Sequence, residues 1–177
     1  MNTSIASHAE VSEETAQEDQ HQYLTFRVRD DNFAVGILSV KEILEYGLVT
    51  TVPLMPAFVR GVINLRGRVV PVIDLAMRLS GCRTEPTPRT CIIIAEVKIE
   101  DERLDIGIIV DAVSQVLEIA PGEIEPAPTF GGELRSRCIA GMGKLEGRLV
   151  IILKLEHMLS VEEIASAFSA SQLPSDS

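Results

Sequence analysis

The chain is 177 residues long, 46% hydrophobic and 24% charged, enough to bury a sizeable core without disulfides or metal. Lys and Arg total 16 against 26 Asp and Glu, a net charge of −10, which argues against the cationic face that nucleic acid or an anionic membrane would require. Trp is absent and aromatic residues make up 4%, leaving few flat side chains on which bases or sugars could stack.

Residues 1–22 hold Glu10, Glu13, Glu14, Glu18 and Asp19 among Ser, Thr, Ala and Gln, with no Lys, no Arg and no apolar run of the kind a signal peptide needs. So little apolar surface predicts a flexible acidic tail. Tyr23 to Arg29 then alternates, with Leu24, Phe26 and Val28 on one face, and predicts a strand. Asp30-Asp31-Asn32 reads as its turn and Phe33 to Leu38 as the returning strand. Ser39 and Glu42 have capping-box spacing before Ile43 and Leu44, which predicts a short helix ending near Gly47.

Val69–Leu75, Cys91–Ile99, Leu104–Val110 and Leu149–Leu155 read as further strands. Pro71 places its run at an edge, a bulge or a strand end, because proline has no N–H for the ladder. Ser160 with Glu163 forms a second capping box ahead of the stripe Val161, Ile164, Ala165 and Phe168, predicting a C-terminal helix before a polar tail over 169–177. No apolar run approaches the roughly 18 residues of a membrane span. Cys82, Cys91 and Cys138 are odd in number and form no C-x-x-C pair, so they read as reduced packing thiols in a cytoplasmic protein.

The most informative feature is an internal echo. Residues 61–75 align without gaps on residues 141–155 with six identities, both copies turning at Leu-x-Gly-Arg. A weaker echo pairs residues 40–45 with 113–118. Two β lobes of one design, dividing near residue 83, account for both, whereas the spacing is too long for a solenoid repeat.

Constellations for chemistry are scarce. His157 is the one histidine between the expected tails, so neither a metal pair nor a Ser-His-Asp order can be assembled. Gly141-x-Gly143-x-x-x-Gly147 leads into an apolar strand, where a phosphate cradle needs a helix N-terminus. Glu100-Asp101-Glu102 with Asp105 lacks calcium-loop spacing and reads as a solvated hairpin turn. Asp74 and Asp111 each end an apolar run, where a carboxylate caps the backbone N–H groups of a following helix or turn. Binding surfaces remain: residues 60–89 carry Arg60, Arg66, Arg68, Arg78, Arg83 and Arg89 against Asp74 and Glu85, a cationic edge suited to an acidic partner. Arg66 projects from a tight turn, and Phe130 stands in a Pro/Gly loop with few neighbours to cover it.

Residues 58–75, with 107–117, Ile124 to Pro128 and 141–155, closely resemble the chemotaxis coupling protein CheW family, in the family's order from about Tyr23 to Ala170. The resemblance implies an all-β fold of two intertwined five-stranded SH3-like β barrels, with short connecting helices and a C-terminal helix. The lobes would span 23–83 and 84–168, with strands exchanged between them. It implies no catalysis and no cofactor or metal, but an adaptor linking methyl-accepting chemotaxis receptors to the histidine kinase CheA at arrays on the inner face of the membrane. The receptor's helical tip would dock on Ile37, Val40, Ile43 and Arg60-Gly61, beside the charged pair Glu42 and Arg66. The kinase's regulatory domain would meet Glu125 and Phe130, with Glu125 standing where some relatives carry arginine and Lys154 where many carry Asp or Asn. A coupler for a CheA-like kinase of a pilus or other chemosensory system fits the same motifs. From another class, a small-molecule-binding β barrel would betray itself by a ligand-dependent thermal shift.

Overall fold

The computed structural model describes residues 21–126 and 137–158. Strands β1 (Gln22–Val28) and β2 (Asp31–Gly36) form a hairpin, followed by a 3-10 turn at Ile37–Ser39 and strand β3 (Val40–Glu45). The hairpin of β4 (Val59–Leu65) and β5 (Arg68–Asp74) leads into helix α1 (Leu75–Ser80). The long hairpin of β6 (Cys91–Ile99) and β7 (Glu102–Val110) leads into β8 (Ala112–Glu118) and β9 (Ile124–Glu125). A last hairpin, β10 (Ile139–Leu145) with β11 (Arg148–Leu153), precedes a 3-10 turn at Leu155–His157. The expected C-terminal helix, Phe130 and most of both tails lie outside the described residues.

The strands form one five-stranded sheet, β3-β6-β7-β5-β4, and one six-stranded sheet, β8-β1-β2-β11-β10-β9. The second has one strand more than expected, the two-residue β9. Residue 83 falls between the sequence repeats, but the sheets do not divide there. The first repeat sends its opening hairpin β1–β2 into the sheet of the second, and the second sends β6–β7 into the sheet of the first. The seams are parallel, Val72 beside Gly107 and Ile152 beside Ala34.

The sequence echoes correspond strand for strand. β4–β5 matches β10–β11, each bulged next to its first glycine, and β3 matches β8. Arg66-Gly67 and Glu146-Gly147 all have positive φ, from 50 to 82°, the geometry of a type I′ turn whose twist matches that of its strands. Glu100 and Asp101 do the same for β6–β7, which accounts for the acidic cluster as a hairpin turn.

Residues 39–47, expected as a helix, are instead a 3-10 turn and a strand. The capping-box spacing at Ser39 loses to register: Ile43 and Leu44 pair with Ile93 and Ile92 of β6, and burial alternates along the strand. The strand expected at Phe33–Leu38 ends at Gly36, and the one expected at Leu149–Leu155 ends at Leu153. Pro71 lies on an interior strand, just before the parallel ladder with β7 begins at Val72, so its missing N–H interrupts no bond there. Asp74 caps α1 by accepting from Met77 N–H at 3.4 Å, whereas Asp111 precedes a strand and accepts from Arg29 N–H, at a residue with φ of 57°.

Among the described residues, twenty buried ones form the main core, drawn from both sheets and including Phe26, Val35, Ile93 and Ile108. Smaller clusters fill each lobe: Val70, Val72, Ile92, Ile94 and Ile109 in one, Ala34, Ile119, Val150 and Ile152 in the other. The largest core therefore joins the lobes.

One buried polar node ties the β4–β5 hairpin to the connection between α1 and β6. The Arg60 side chain, 8% exposed, donates to Asp74 Oδ2 at 2.6 Å, to the Thr84 carbonyl at 2.8 Å and to the Tyr46 hydroxyl at 3.0 Å. Thr84 donates to Asp74 through both its N–H and its hydroxyl. Burial alone would raise the Asp74 carboxyl, but the hydrogen bonds from Thr84, Arg60 and Met77 outweigh it and hold the group below its ordinary value. Such a carboxylate adds stability above its unfolded value near 3.8, and that stability is lost as the pH falls through the lower folded value. Asp74→Ala, which leaves Arg60 buried without its partner, should cost about 3–5 kcal/mol in urea unfolding at pH 7. The difference from wild type should shrink below about pH 4, and a pH-independent difference would contradict the node.

Gly61, with φ of 153°, crosses so close to the preceding loop that a Cβ would lie 2.1 Å from the Thr50 carbonyl oxygen. Gly67, with φ of 82°, has open space around it. Gly61→Ala should therefore destabilise the fold by more than the roughly 1–2 kcal/mol expected of Gly67→Ala, and equal melting shifts would refute the close approach.

Candidate partner-docking site

The site starts from a bulge. In the β3–β6 pairing the register shifts between Val40 and Glu42, so Val40 faces Ala95 and Ile43 faces Ile93. Residues directly opposite in an antiparallel pair share a face, and Ala95 and Ile93 both belong to the core between the lobes. Val40 and Ile43 therefore sit on that face, although three residues apart. Ile37 and Val40 pack against the core, whereas Ile43 remains 43% exposed and Leu38, in the 3-10 turn, 65% exposed. Together they place an apolar row at the rim of the main core, with free surface on its outer side.

Glu42 lies on the opposite face, opposite Ile94. Arg66 reaches it from the tip of the β4–β5 turn with a two-pronged contact, Nη1 to Oε2 at 2.7 Å and Nη2 to Oε1 at 3.2 Å. The turn itself is fixed by Gly67 N–H donating to Asn64 Oδ1 at 3.0 Å. β3 and β4 are opposite edges of the five-stranded sheet, so this fork, with the Arg60–Tyr46 bond and the Thr50–Val62 bridge, shows that the sheet curls to bring its edges together. The Arg66 side chain is 75% exposed and that of Glu42 24%, leaving one flank of the guanidinium available. The hydrogen bond to Glu42, reinforced by its charge, raises Arg66 above its ordinary value, so it is cationic at any physiological pH.

The expected residues do not all share this surface. Arg60 is buried in the Asp74 node and Gly61 is a buried close-approach position, so both shape the site from beneath. Glu125 is on the other sheet, on edge strand β9, exposed and 3.1 Å from Lys144 Nζ. Phe130 lies outside the described residues. Sequence reasoning missed Leu38, whose exposure depends on the 3-10 turn, and Leu48 and Leu54, almost wholly exposed in the loop before β4. The prolines and Gly47 around that loop were the available signal.

No group of three or more His, Cys, Asp or Glu side chains gathers in metal-binding geometry among the described residues. Cys138 is buried, its thiol pushed up by burial and donating to the His157 carbonyl at 3.3 Å, a packing role.

Residues 22–163 match the family model described as the CheW-like domain. The chain is 38% identical over 146 residues to a probable chemotaxis protein CheW of Rhizobium etli, covering 82% of this chain and 92% of that one. It is 30% identical over 128 residues to protein FrzA of Myxococcus xanthus, covering 72% and 77% of the two chains. Among solved structures, the scaffolding protein TtCheW from Thermoanaerobacter tengcongensis superposes with a TM-score of 0.70 at 29% identity, over 81% of this chain and 90% of that one. An all-β pair of hairpin-exchanging lobes, a family-model match across most of the sequence and the likeness to a solved scaffolding protein lead to one conclusion: the chain belongs to the CheW family of non-catalytic scaffold adaptors.

Proposed function

We propose that this chain couples methyl-accepting chemotaxis receptors to the histidine kinase CheA, standing at receptor arrays and binding each partner through its own face. The observation that carries the reading is that edge strand β3 presents the exposed Ile43 on one face and the Glu42–Arg66 fork on the other. A helical receptor tip would lay apolar side chains along Ile37, Val40 and Ile43 and set its own polar groups against Arg66. Burying an aliphatic anchor contributes about 1.5–3 kcal/mol, and a two-pronged charge contact adds orientation. Arg60 and Gly61 act by holding the β4–β5 hairpin in place beneath this surface. The kinase's regulatory domain would dock at Phe130 and at Glu125, the latter on the other sheet from the receptor rim. The adaptor thus supplies fixed geometry between two partners and makes no bonds of its own.

Reconstitution with a receptor cytoplasmic fragment and CheA tests the reading. Kinase autophosphorylation should respond to receptor only when this chain is present, and an unresponsive mixture would refute coupling to that kinase. Arg66→Glu should weaken receptor binding by about tenfold or more, and Ile43→Ala by a similar factor, with melting temperature little changed. Unchanged receptor affinity in both variants would remove the rim from the docking face. Phe130→Ala should loosen kinase assembly while leaving receptor affinity intact; equal loss at both would show that the faces are not separate.

A further inference from the structure

Two carboxylates are buried among the described residues. Asp74 belongs to the Arg60 node; the other, Asp105 of β7, is 8% exposed and has no part in it. Its two oxygens hold two cations: Lys41 Nζ lies 3.1 Å from Oδ1 and 3.2 Å from Oδ2, and Arg68 Nη1 lies 3.3 Å from Oδ2. Lys41 is the extra residue at the bulge of β3, and Arg68 opens β5. A carboxylate on the middle strand of the five-stranded sheet thus ties edge strand β3 to the β4–β5 hairpin. Glu96, opposite Asp105 on β6, draws on the same lysine at 3.5 Å and on Arg103 at 3.7 Å.

Each of the two cations adjoins a member of the fork. Lys41 immediately precedes Glu42, and Arg68 follows Arg66 across Gly67. The carboxylates and Arg68 also share a sheet face, because Glu42 is opposite Ile94, Glu96 and Arg68 stand two residues beyond Ile94 and Val70, and those two residues belong to one small core. The fork and the Asp105 clasp are therefore two ties between the same two elements, side by side over the end of that core. Lys41 Nζ and Arg68 Nη1 both stand within 3.3 Å of one oxygen, so two like charges are close together with only a carboxylate to offset their repulsion. Lys41 has Glu96 as a second partner, whereas Arg68 has no other ion pair among the described residues. In the other lobe, which has no fork, Ser114 and Asn32 take the places of Lys41 and Asp105, and Arg148 keeps that of Arg68.

We propose that Asp105 is a positioning residue for Arg66: by neutralising Lys41 and Arg68 it keeps β3 and the β4–β5 turn together, so that Glu42 engages Arg66 alone and the guanidinium presents its open flank to a partner. Without the carboxylate, the stranded Arg68 repels Lys41 and competes for Glu42, and Arg66 comes loose. The consequence for docking rests on the receptor reading of this face; the effect on Arg66 does not.

The test reads Arg66 in the free full chain, through the N–H signals of its guanidinium, which the two bonds to Glu42 hold against rotation. Wild type should show separate Nη signals on cooling, assigned by their absence in Arg66→Lys, and Glu42→Gln should collapse them. Asp105→Asn, which keeps the shape and removes the charge, should collapse them too. Asp105→Asn/Arg68→Gln, which also removes the stranded cation, should restore them, a recovery that a general weakening of the fold would not give. Unchanged signals in Asp105→Asn, or collapse without recovery in the double variant, would overturn the proposal. Receptor binding separates this outcome from the docking reading: the dissociation constant should rise about three- to fivefold in Asp105→Asn and return in the double variant. A constant that stays level while the Arg66 signals collapse and recover would refute the rim as the receptor's face and leave the positioning role standing.

Discussion

Val72 of β5 runs beside Gly107 of β7, and Ile152 of β11 beside Ala34 of β2, and each of these parallel seams joins a strand of one sequence repeat to a strand of the other. A hairpin alone exposes one apolar face and is marginal in water. By crossing, β1–β2 and β6–β7 each complete the other repeat's sheet and cover the core between the sheets. At both seams a small residue stands beside a branched one, Gly107 by Val72 and Ala34 by Ile152. A Cβ on Gly107 would lie 2.9 Å from Ile92 Cγ2 and 3.3 Å from Val72 Cγ2, so the approach of the strands depends on its absence.

The duplication makes the differences between lobes informative. Ile43 and Val116 hold matching places on β3 and β8, Val69 and Leu149 on β5 and β11, and all four are exposed apolar residues. Their repetition belongs to the shared architecture. Arg68 and Glu45 recur as Arg148 and Glu118, but the charged groups of the fork and the node are not repeated. Where one lobe has Glu42 and Arg66, the other has Gln115 and Glu146, and where one has Arg60 and Asp74, the other has Ala140 and Lys154. The fork and the buried node therefore exist in one lobe only, and it is this chemistry, laid on a common backbone, that distinguishes the β3 rim from its counterpart.

The β architecture was legible because its signals are local. Alternation marked β1, the Leu-x-Gly-Arg turns marked two hairpins, and the gapless echo carried the correspondence of β4–β5 with β10–β11. Exchange of hairpins between sheets depends on pairings far apart in sequence, which no local pattern encodes; it was expected through family resemblance alone. Residues 39–47 were misread for the same reason, since the capping signal was local and the pairing with β6 that overrides it was not. At the site, Arg66 was legible because a turn residue must point outward. Arg60, one strand earlier, was not, because nothing in its neighbourhood tells that Asp74, Thr84 and Tyr46 converge on it.

An adaptor without bond-making chemistry acts through the stiffness of the path between its surfaces. Here that path is the main core, to which β1, β2, β4–β7 and β11 all contribute. Neither lobe can rotate against the other without pulling a hairpin out of a sheet and exposing residues such as Phe26, Ile93 and Ile108, all at most 3% exposed. Interiors packed to crystal-like density transmit displacement and do not absorb it. The edges are different: the 3-10 turn at Ile37–Ser39, the rim of β3 and the two-residue β9 have few buried neighbours and can adjust to a partner. A stiff centre with adaptable edges is the mechanical requirement for a coupler, and hairpin exchange between two small repeats meets it without a larger fold.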